Sequence, residues 1–447
     1  MSIINTVRAY IDEFNACDID PHAESRNIPN GAVFEWMLEN VPLVELDDKV
    51  VERVYYFRWW TYRKHIRLTD EGYIISEFLF DVPWSGKYNA ISCAAWQHLY
   101  EGRWIKNSTY IDDYLRYWIK GGGSLRSYSC PIADAAYNRY LVTGEADILA
   151  ELFDGFAANY YAWKASNLDE TGLFWQLDER DGMELTLGGS GLRPAINSYM
   201  YAEASAISKI AAMLGKAEYE DIFRVKAETI KRLMHEILWD NEVEFFKTFA
   251  TGAAAAKHRE LYGGWLDSGW EDSVHIDQPS GLSFMIEQMG YTPWYFDIPG
   301  ASCDAAWKYL TDSRYFSAEK GITTASMCDP SFMTPHKHEC AWDGASWPFS
   351  TYITLKALGM FLRRGENAYV TTADYWRLLR QYADAHVLNT ERGQIPFIDE
   401  SYHPHTGEWI SRAMLYARNN ASKDRGMYYN HSAFCDLVLT EMEMMGN

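Results

Sequence analysis

The segment Asp178-Glu179-Arg180-Asp181-Gly182-Met183-Glu184 follows Phe174-Trp175 and crowds acids among glycine and large apolar residues. A carboxyl held beside a Trp or Met in a cleft loses water, which raises its pKa toward the range a general acid needs. A solvated acidic turn is the competing reading. A second segment, Phe397-Ile398-Asp399-Glu400-Ser401-Tyr402-His403-Pro404-His405-Thr406-Gly407-Glu408-Trp409, combines acids and histidines around a tight turn. Glu400 is flanked by groups that can hydrogen-bond an ionised carboxylate, which suits a base that takes a proton from water. A polar surface loop is the alternative there. His403 and His405 stand one residue apart beside a proline, which is not a ligand pattern, so no metal is expected.

A third segment, Cys340-Ala341-Trp342-Asp343-Gly344-Ala345-Ser346-Trp347-Pro348, sets two indoles around a glycine turn. Such a pair could form a stacking platform for flat ligand faces or a buried structural turn. The same two readings apply to Trp84 and Tyr88 in Val82–Asn89, and to Arg58, Trp59 and Trp60. No Gly-rich phosphate loop, nucleophile elbow or dinucleotide fingerprint is present.

These segments need a scaffold, and helical periodicity supplies it. Apolar residues recur three and four apart in Val50–Ile66, Ala90–Tyr100, Tyr110–Ile119, Ile132–Val142, Asp147–Ala165, Ile196–Leu214 and Glu218–Leu238. Leu282–Met289, Ala301–Leu310, Ser350–Arg363, Thr372–Leu388 and Ser432–Met445 repeat the pattern, which brings the expected total to about a dozen helices. Strand signals are confined to Tyr73–Phe80 and Glu242–Phe249, and Gly252–Ala256 reads as a small-residue turn. No Pro- or Ser-rich linker divides the chain and no fixed-period repeat appears, so one domain over residues 1–447 is expected. Sequential helix pairs joined by unequal loops fit an all-α (α/α)6 barrel, its core spanning about 50–445 and one rim carrying the long loops.

The 447 residues carry 62 Asp and Glu against 41 Lys and Arg, a formal charge of −21 that would repel nucleic acid. With 18 Trp, 31 Tyr and 20 Phe the chain has more aromatic surface than a core needs, which suits either a cleft that stacks on flat faces such as those of sugars or the aromatic packing of a large helical protein. The seven cysteines are scattered without close pairs, and reduced thiols are expected. No stretch approaches a membrane span and the first residues do not read as a signal peptide, so a cytoplasmic location is expected.

Taken in order, the motifs resemble the (α/α)6 glycosidases that include trehalases, glycoside hydrolase family 63 and bacterial mannosylglycerate hydrolase-like enzymes. The resemblance covers roughly residues 50–440. Arg180-Asp181-Gly182-Met183-Glu184 looks like the loop bearing that group's general acid. Asn197-Ser198-Tyr199-Met200 and Ile237-Leu238-Trp239 follow in register. Glu400-Ser401-Tyr402, continued by Thr406-Gly407, looks like the motif of the general base, and Tyr429-Asn430-His431-Ser432-Ala433-Phe434 like the last inner helix. The acid position holds Glu here where trehalases have Asp. A rival acid loop, Asp267-Ser268-Gly269-Trp270-Glu271-Asp272-Ser273, places Glu271 as the runner-up, but it lacks the Asn-Ser-x-Met helix downstream.

The resemblance implies an inverting glycoside hydrolase without a cofactor, with Glu184 as acid and Glu400 as base. The expected substrate is a short oligosaccharide or small glycoside trimmed from its end. Trp84, Tyr88, Trp342, Asp343, Trp347, Tyr402 and His431 are the expected substrate contacts, with Arg58 and Asp181 as further polar ones. An epimerase or lyase working through His98, His275, His336 or His431 is the rival within the fold, and a non-catalytic carbohydrate-binding barrel the rival outside enzymes. Sugar identity, linkage and oligomeric state are not legible.

Overall fold

Helices alternate along the chain between an inner ring, buried over most of its length except at ends such as Leu141-Val142, and an outer ring buried mainly on one face. The computed structural model describes residues 2–262, 280–334, 338–442 and 444–445. Every residue of Ser92–Gly102 is buried, whereas Thr109–Ile119 buries only Tyr110, Ile111, Tyr114, Leu115, Tyr117 and Trp118. Helices of the first kind are Ser92–Gly102, Ile132–Thr143, Pro194–Met213, Thr292–Tyr295, Pro348–Leu362 and Phe434–Glu441. Each packs on the next, and the last returns to the first, closing a ring. Around it lie Lys49–Tyr62, Thr109–Ile119, Asp147–Asn167, Ala217–Ile237, the 3-10 stretch Ala301–Tyr309 and Thr372–Asp384. This is an (α/α)6 barrel. Lys49–Tyr62 is buried almost throughout because Ile3–Ala16 covers its outer side with Val7, Ile11 and Phe14.

Local chemistry sets the helix ends. Asp48 accepts from the free N–H groups of Val50 and Val51, and Thr371 with Asp374 forms a capping box. Pro194 and Pro348 occupy first-turn positions, where the missing N–H has no partner to lose. The turns that follow inner helices are short at 144–146 and 214–216. The connections that precede them are long, at 63–91, 168–193 and 385–433. One rim therefore carries nearly all the irregular chain, braced by small sheets: the hairpin Ile66–Thr69 with Gly72–Ile75, and a sheet in the order Trp175–Gln176, Gly191–Leu192, Phe249–Ala250, Gly281–Leu282.

Several expected elements differ. Leu282–Met289 is not a helix, because its apolar stripe is false: Phe284 is 87% exposed and Glu287 instead bridges to Ala325. Gly252–Ala256 opens the helix Gly252–Tyr262, and Thr372–Leu388 stops at Asp384 so that Val387 can start a hairpin. Glu242–Phe249 divides between two short pairings. No helix among the described residues is long and apolar enough to cross a membrane.

Candidate active site

Glu184 sits in the connection 168–193. Asp178–Asp181 forms a 3-10 turn that Gly182 ends at φ 72°. A Cβ on Gly182 would lie 2.2 Å from Cys93 Sγ, so both backbone and space demand glycine. Arg193, fully buried at the start of Pro194–Met213, donates from Nε to Asp181 Oδ2 at 2.6 Å and from Nη1 to Thr186 Oγ1 at 3.0 Å. This pairing pins both ends of the acidic loop to an inner helix. Between the two anchors, Leu185 is held at φ 61°, a conformation that a branched side chain resists. The Glu184 carbonyl accepts from the Trp342 N–H at 3.0 Å, which ties this loop to the one before Pro348–Leu362. Burial is the main force on the Glu184 carboxyl and, with the charges of Glu179 and Glu400, pushes its pKa up to about 8. Its own backbone and Arg425 pull the other way.

Glu400 lies in the connection 385–433 and is 3% exposed. Arg425 grips it with both arms of its fork, Nε to Oε1 at 3.1 Å and Nη2 to Oε2 at 3.0 Å, while Nη1 reaches Glu339 at 2.8 Å. The Cys340 thiol donates to Glu400 Oε2 at 3.5 Å. Beneath Glu400, the Asp399 carboxylate accepts the Glu400 N–H at 2.8 Å. Burial, then the Glu400 charge, raises Asp399 to about 7. Gly426 is required beside it, since a Cβ there would fall 1.8 Å from Asp399 Oδ1.

The structure brings Glu184, Glu400, Trp84, Trp342, Trp347 and His431 to this rim. Trp84 is 52% exposed and its ring lies 5.4 Å from the Arg425 guanidinium carbon. Trp342 and Trp347 stack on one another at 4.4 Å, and Trp342 meets Phe349 edge-on, which in turn meets His431 at 5.6 Å. Asp343 is buried in the same turn, where its carbonyl accepts from the Met333 N–H at 3.0 Å.

Other expected contacts are engaged elsewhere. Arg58, 1% exposed, donates to Glu101 Oε2 at 2.8 and 2.6 Å and to Asn430 at 2.6 Å, so it braces His431's neighbour and is not placed to meet a sugar. Asp181 is consumed by Arg193. The Tyr88 hydroxyl donates to Asp70 at the outer hairpin, and the Tyr402 ring is buried edge-on to Trp409 at 5.2 Å. Glu271, His275 and His336 lie outside the described residues. Among the described residues no group of three or more His, Cys, Asp or Glu could hold a metal.

Two members of the site escaped the sequence. Glu77, 5% exposed, follows the hairpin and faces His431, and Arg425 sits in the polar run Asn419–Gly426. Glu77 is a lone acid between Ile74-Ile75-Ser76 and Phe78-Leu79-Phe80, and that apolar setting was the available signal. Arg425 gave none, because its surroundings read as solvated loop.

Comparison with known proteins fits this architecture. The family model described as the mannosylglycerate hydrolase MGH1-like glycoside hydrolase domain matches residues 87–432. A solved chain named a sialidase is 32% identical, with a TM-score of 0.85 over 98% of this chain; this chain spans 38% of its length. The GH63 mannosylglycerate hydrolase from Thermus thermophilus, in complex with glucose, gives a TM-score of 0.61 at 12% identity, covering 86% of this chain and 99% of that one. A bacterial glucoamylase complexed with acarbose gives 0.53 at 11%, covering 88% and 55%. The last two likenesses are of fold. A search of curated proteins finds no match. With the family model covering most of its length, the chain belongs to the mannosylglycerate hydrolase MGH1-like glycoside hydrolases.

Proposed function

We propose that the chain hydrolyses a glycosidic bond by single displacement, with Glu184 as general acid and Glu400 as general base. The observation that carries the reading is the contrast between two carboxyls at one rim: burial holds Glu184 protonated near neutral pH, whereas Glu400 lies in the fork of Arg425. Glu184 would donate its proton to the leaving oxygen while Glu400 takes one from a water attacking the opposite face of the sugar. An inverting pair needs room for that water, so carboxyl groups roughly 6.5–9.5 Å apart are expected in the complex. Exo-action on a short oligosaccharide or small glycoside belongs to the same proposal, with the partly exposed Trp84 as the indole free to stack on a sugar, since Trp342 and Trp347 are buried and stack on one another. One catalytic unit over residues 1–447 is supported by a core that runs from Val7 to Val438. A cytoplasmic place of action belongs to the same proposal, as the place where a short imported glycoside is trimmed.

The test screens aryl glycosides and short oligosaccharides and follows product anomers by NMR. Glu184→Gln and Glu400→Gln should each lose ~10²–10⁴-fold in turnover with folding intact. Azide should restore an inverted glycosyl azide product in Glu400→Gln, where an anion can replace activated water, and not in Glu184→Gln on an unactivated substrate. Near-normal turnover of Glu184→Gln beside an inactive Glu271→Gln would move the acid to the other loop. Retention of configuration would overturn the mechanism.

A further inference from the structure

Glu77 and His431 are a buried polar pair that the reaction scheme leaves idle. Glu77 Oε1 lies 3.1 Å from His431 Nε2, close in space but without hydrogen-bond alignment. Glu77 Oε2 and both ring nitrogens of His431 have no hydrogen-bond partner in the protein, and the two side chains are 7% and 2% exposed. An orphaned buried polar atom is costly, so three in one place mark a position that something polar completes.

The pair lies beside Glu400 and shares neighbours with Glu184. Glu77 feels the charges of Glu400 and Arg425, and both Cys93 and Tyr128 feel Glu77 together with Glu184. Tyr429 feels Glu77 and Glu400, and its ring is 3.9 Å from that of His431. Burial first, then Glu400, raises the Glu77 carboxyl well above its ordinary range, and burial keeps His431 neutral. A neutral carboxyl and a neutral imidazole each offer one donor and one acceptor, the complement of two adjacent hydroxyls.

Charge narrows the class further. Arg425 is already shared between Glu400 and Glu339, and Arg193 is bound to Asp181. A sugar carboxylate held by Glu77 and His431 would be buried against two neutral groups and the Glu400 charge, while Arg180, the further cation near the pair, lies over the Tyr128 ring at 5.7 Å.

We propose that Glu77 and His431 read the hydroxyls of the sugar to be released, selecting a neutral glycosyl unit with two adjacent hydroxyls over uronic or sialic acids. The proposal rests on the reading of Glu184 and Glu400 as the reacting pair. Glu77 acts as a binding group here, not as a proton donor in the reaction, and substitutions separate the two. Glu77→Gln copies the donor and acceptor of a neutral carboxyl, whereas Glu77→Leu removes both.

The probes are 4-nitrophenyl glycosides of neutral pyranoses and furanoses, beside a glucuronide and a sialoside. Neutral glycosides should be preferred. On the best of them, Glu77→Leu should lose at least ~10²-fold in kcat/KM and Glu77→Gln stay within ~10-fold, since a site built for a hydroxyl strongly rejects its loss. The wild type should likewise reject the monodeoxy analogue at the read position, and Glu77→Leu should no longer discriminate against it. His431→Phe keeps the ring packing on Tyr429 and removes both nitrogens, so it repeats the test if Glu77→Leu fails to fold. A preferred acidic glycoside, an unaffected Glu77→Leu, or a Glu77→Gln as inactive as Glu77→Leu overturns the proposal. Calorimetry with free neutral monosaccharides needs no turnover. Binding by the wild type that Glu77→Leu loses upholds the pair even if Glu184→Gln and Glu400→Gln stay active, and no binding together with no turnover on any neutral glycoside defeats it.

Discussion

Two carboxylates in this barrel, one fully buried and one half-buried at the rim, meet opposite fates. Asp436, fully buried in the ring, accepts from Arg103 at 2.9 Å, Trp104 at 2.8 Å and Tyr352 at 3.0 Å, with Lys356 at 3.3 Å. Burial alone would raise it, yet these partners hold it below the usual carboxylate range. Glu184 at the rim has no such set of partners, and burial carries it up to about 8. Loss of water is common to both. The donors around Asp436 outweigh it and make an anchor, whereas Glu184 lacks them and stores a proton, although Glu400 at the same rim has the Arg425 fork.

The largest effect should come from breaking the anchor. Asp436→Leu leaves Arg103 buried without its counter-charge and Lys356 with only Glu441 at 3.7 Å, and should lose ~3–5 kcal/mol in urea denaturation. Glu184→Gln removes a group with little to lose and should stay within ~1 kcal/mol at pH 7. Equal losses would erase the distinction.

A pH series sharpens it. The Glu184 carboxyl moves from 4.5 unfolded to about 8 folded, so the folded state holds the extra proton between those values. Its contribution to stability is complete below pH 4.5 and is lost as pH rises through about 8. Against Glu184→Gln, the wild type should weaken by on the order of 1–2 kcal/mol from about pH 5 to about pH 9, solvent at the half-buried side chain trimming the figure. The same deprotonation should lower kcat/KM above about pH 8. Asp436 runs the other way: its contribution is present above 3.8 and is lost as pH falls through its lowered folded value.

The smallest change concerns the rim surface. Trp84→Ala should leave stability within ~0.5 kcal/mol, because half of the residue is already in water, while raising KM several-fold through lost stacking. An unchanged KM on every substrate would remove Trp84 from the cleft wall.

Much of the scaffold was legible because the ring's interior demands three- and four-residue periodicity, as in Ile132–Thr143 and Pro194–Met213. Where tertiary contact overrides periodicity the reading failed: Leu282–Met289 looked helical on its apolar spacing although Phe284 faces solvent. Within the site, Glu184 and Glu400 stood out by their neighbours, yet nothing local announces that Arg58 and Asp181 are spoken for by Glu101 and Arg193. Those pairings span 43 and 12 residues and exist only once the helices have met. Glu77 is the converse case, an acid whose buried setting was visible and whose partner His431 was not.

The closing of the ring also has a kinetic side. Arg58 with Asn430, His65 with Tyr428 and Asn430 with Ser76 join residues 372, 363 and 354 positions apart. Contacts of that span require almost the whole polypeptide to be gathered before they give any return, which places this part of the barrel among slow, late events of folding. Glu77 and His431 flank that same seam, so the pocket should be among the last features to form and the first to open when the ring loosens.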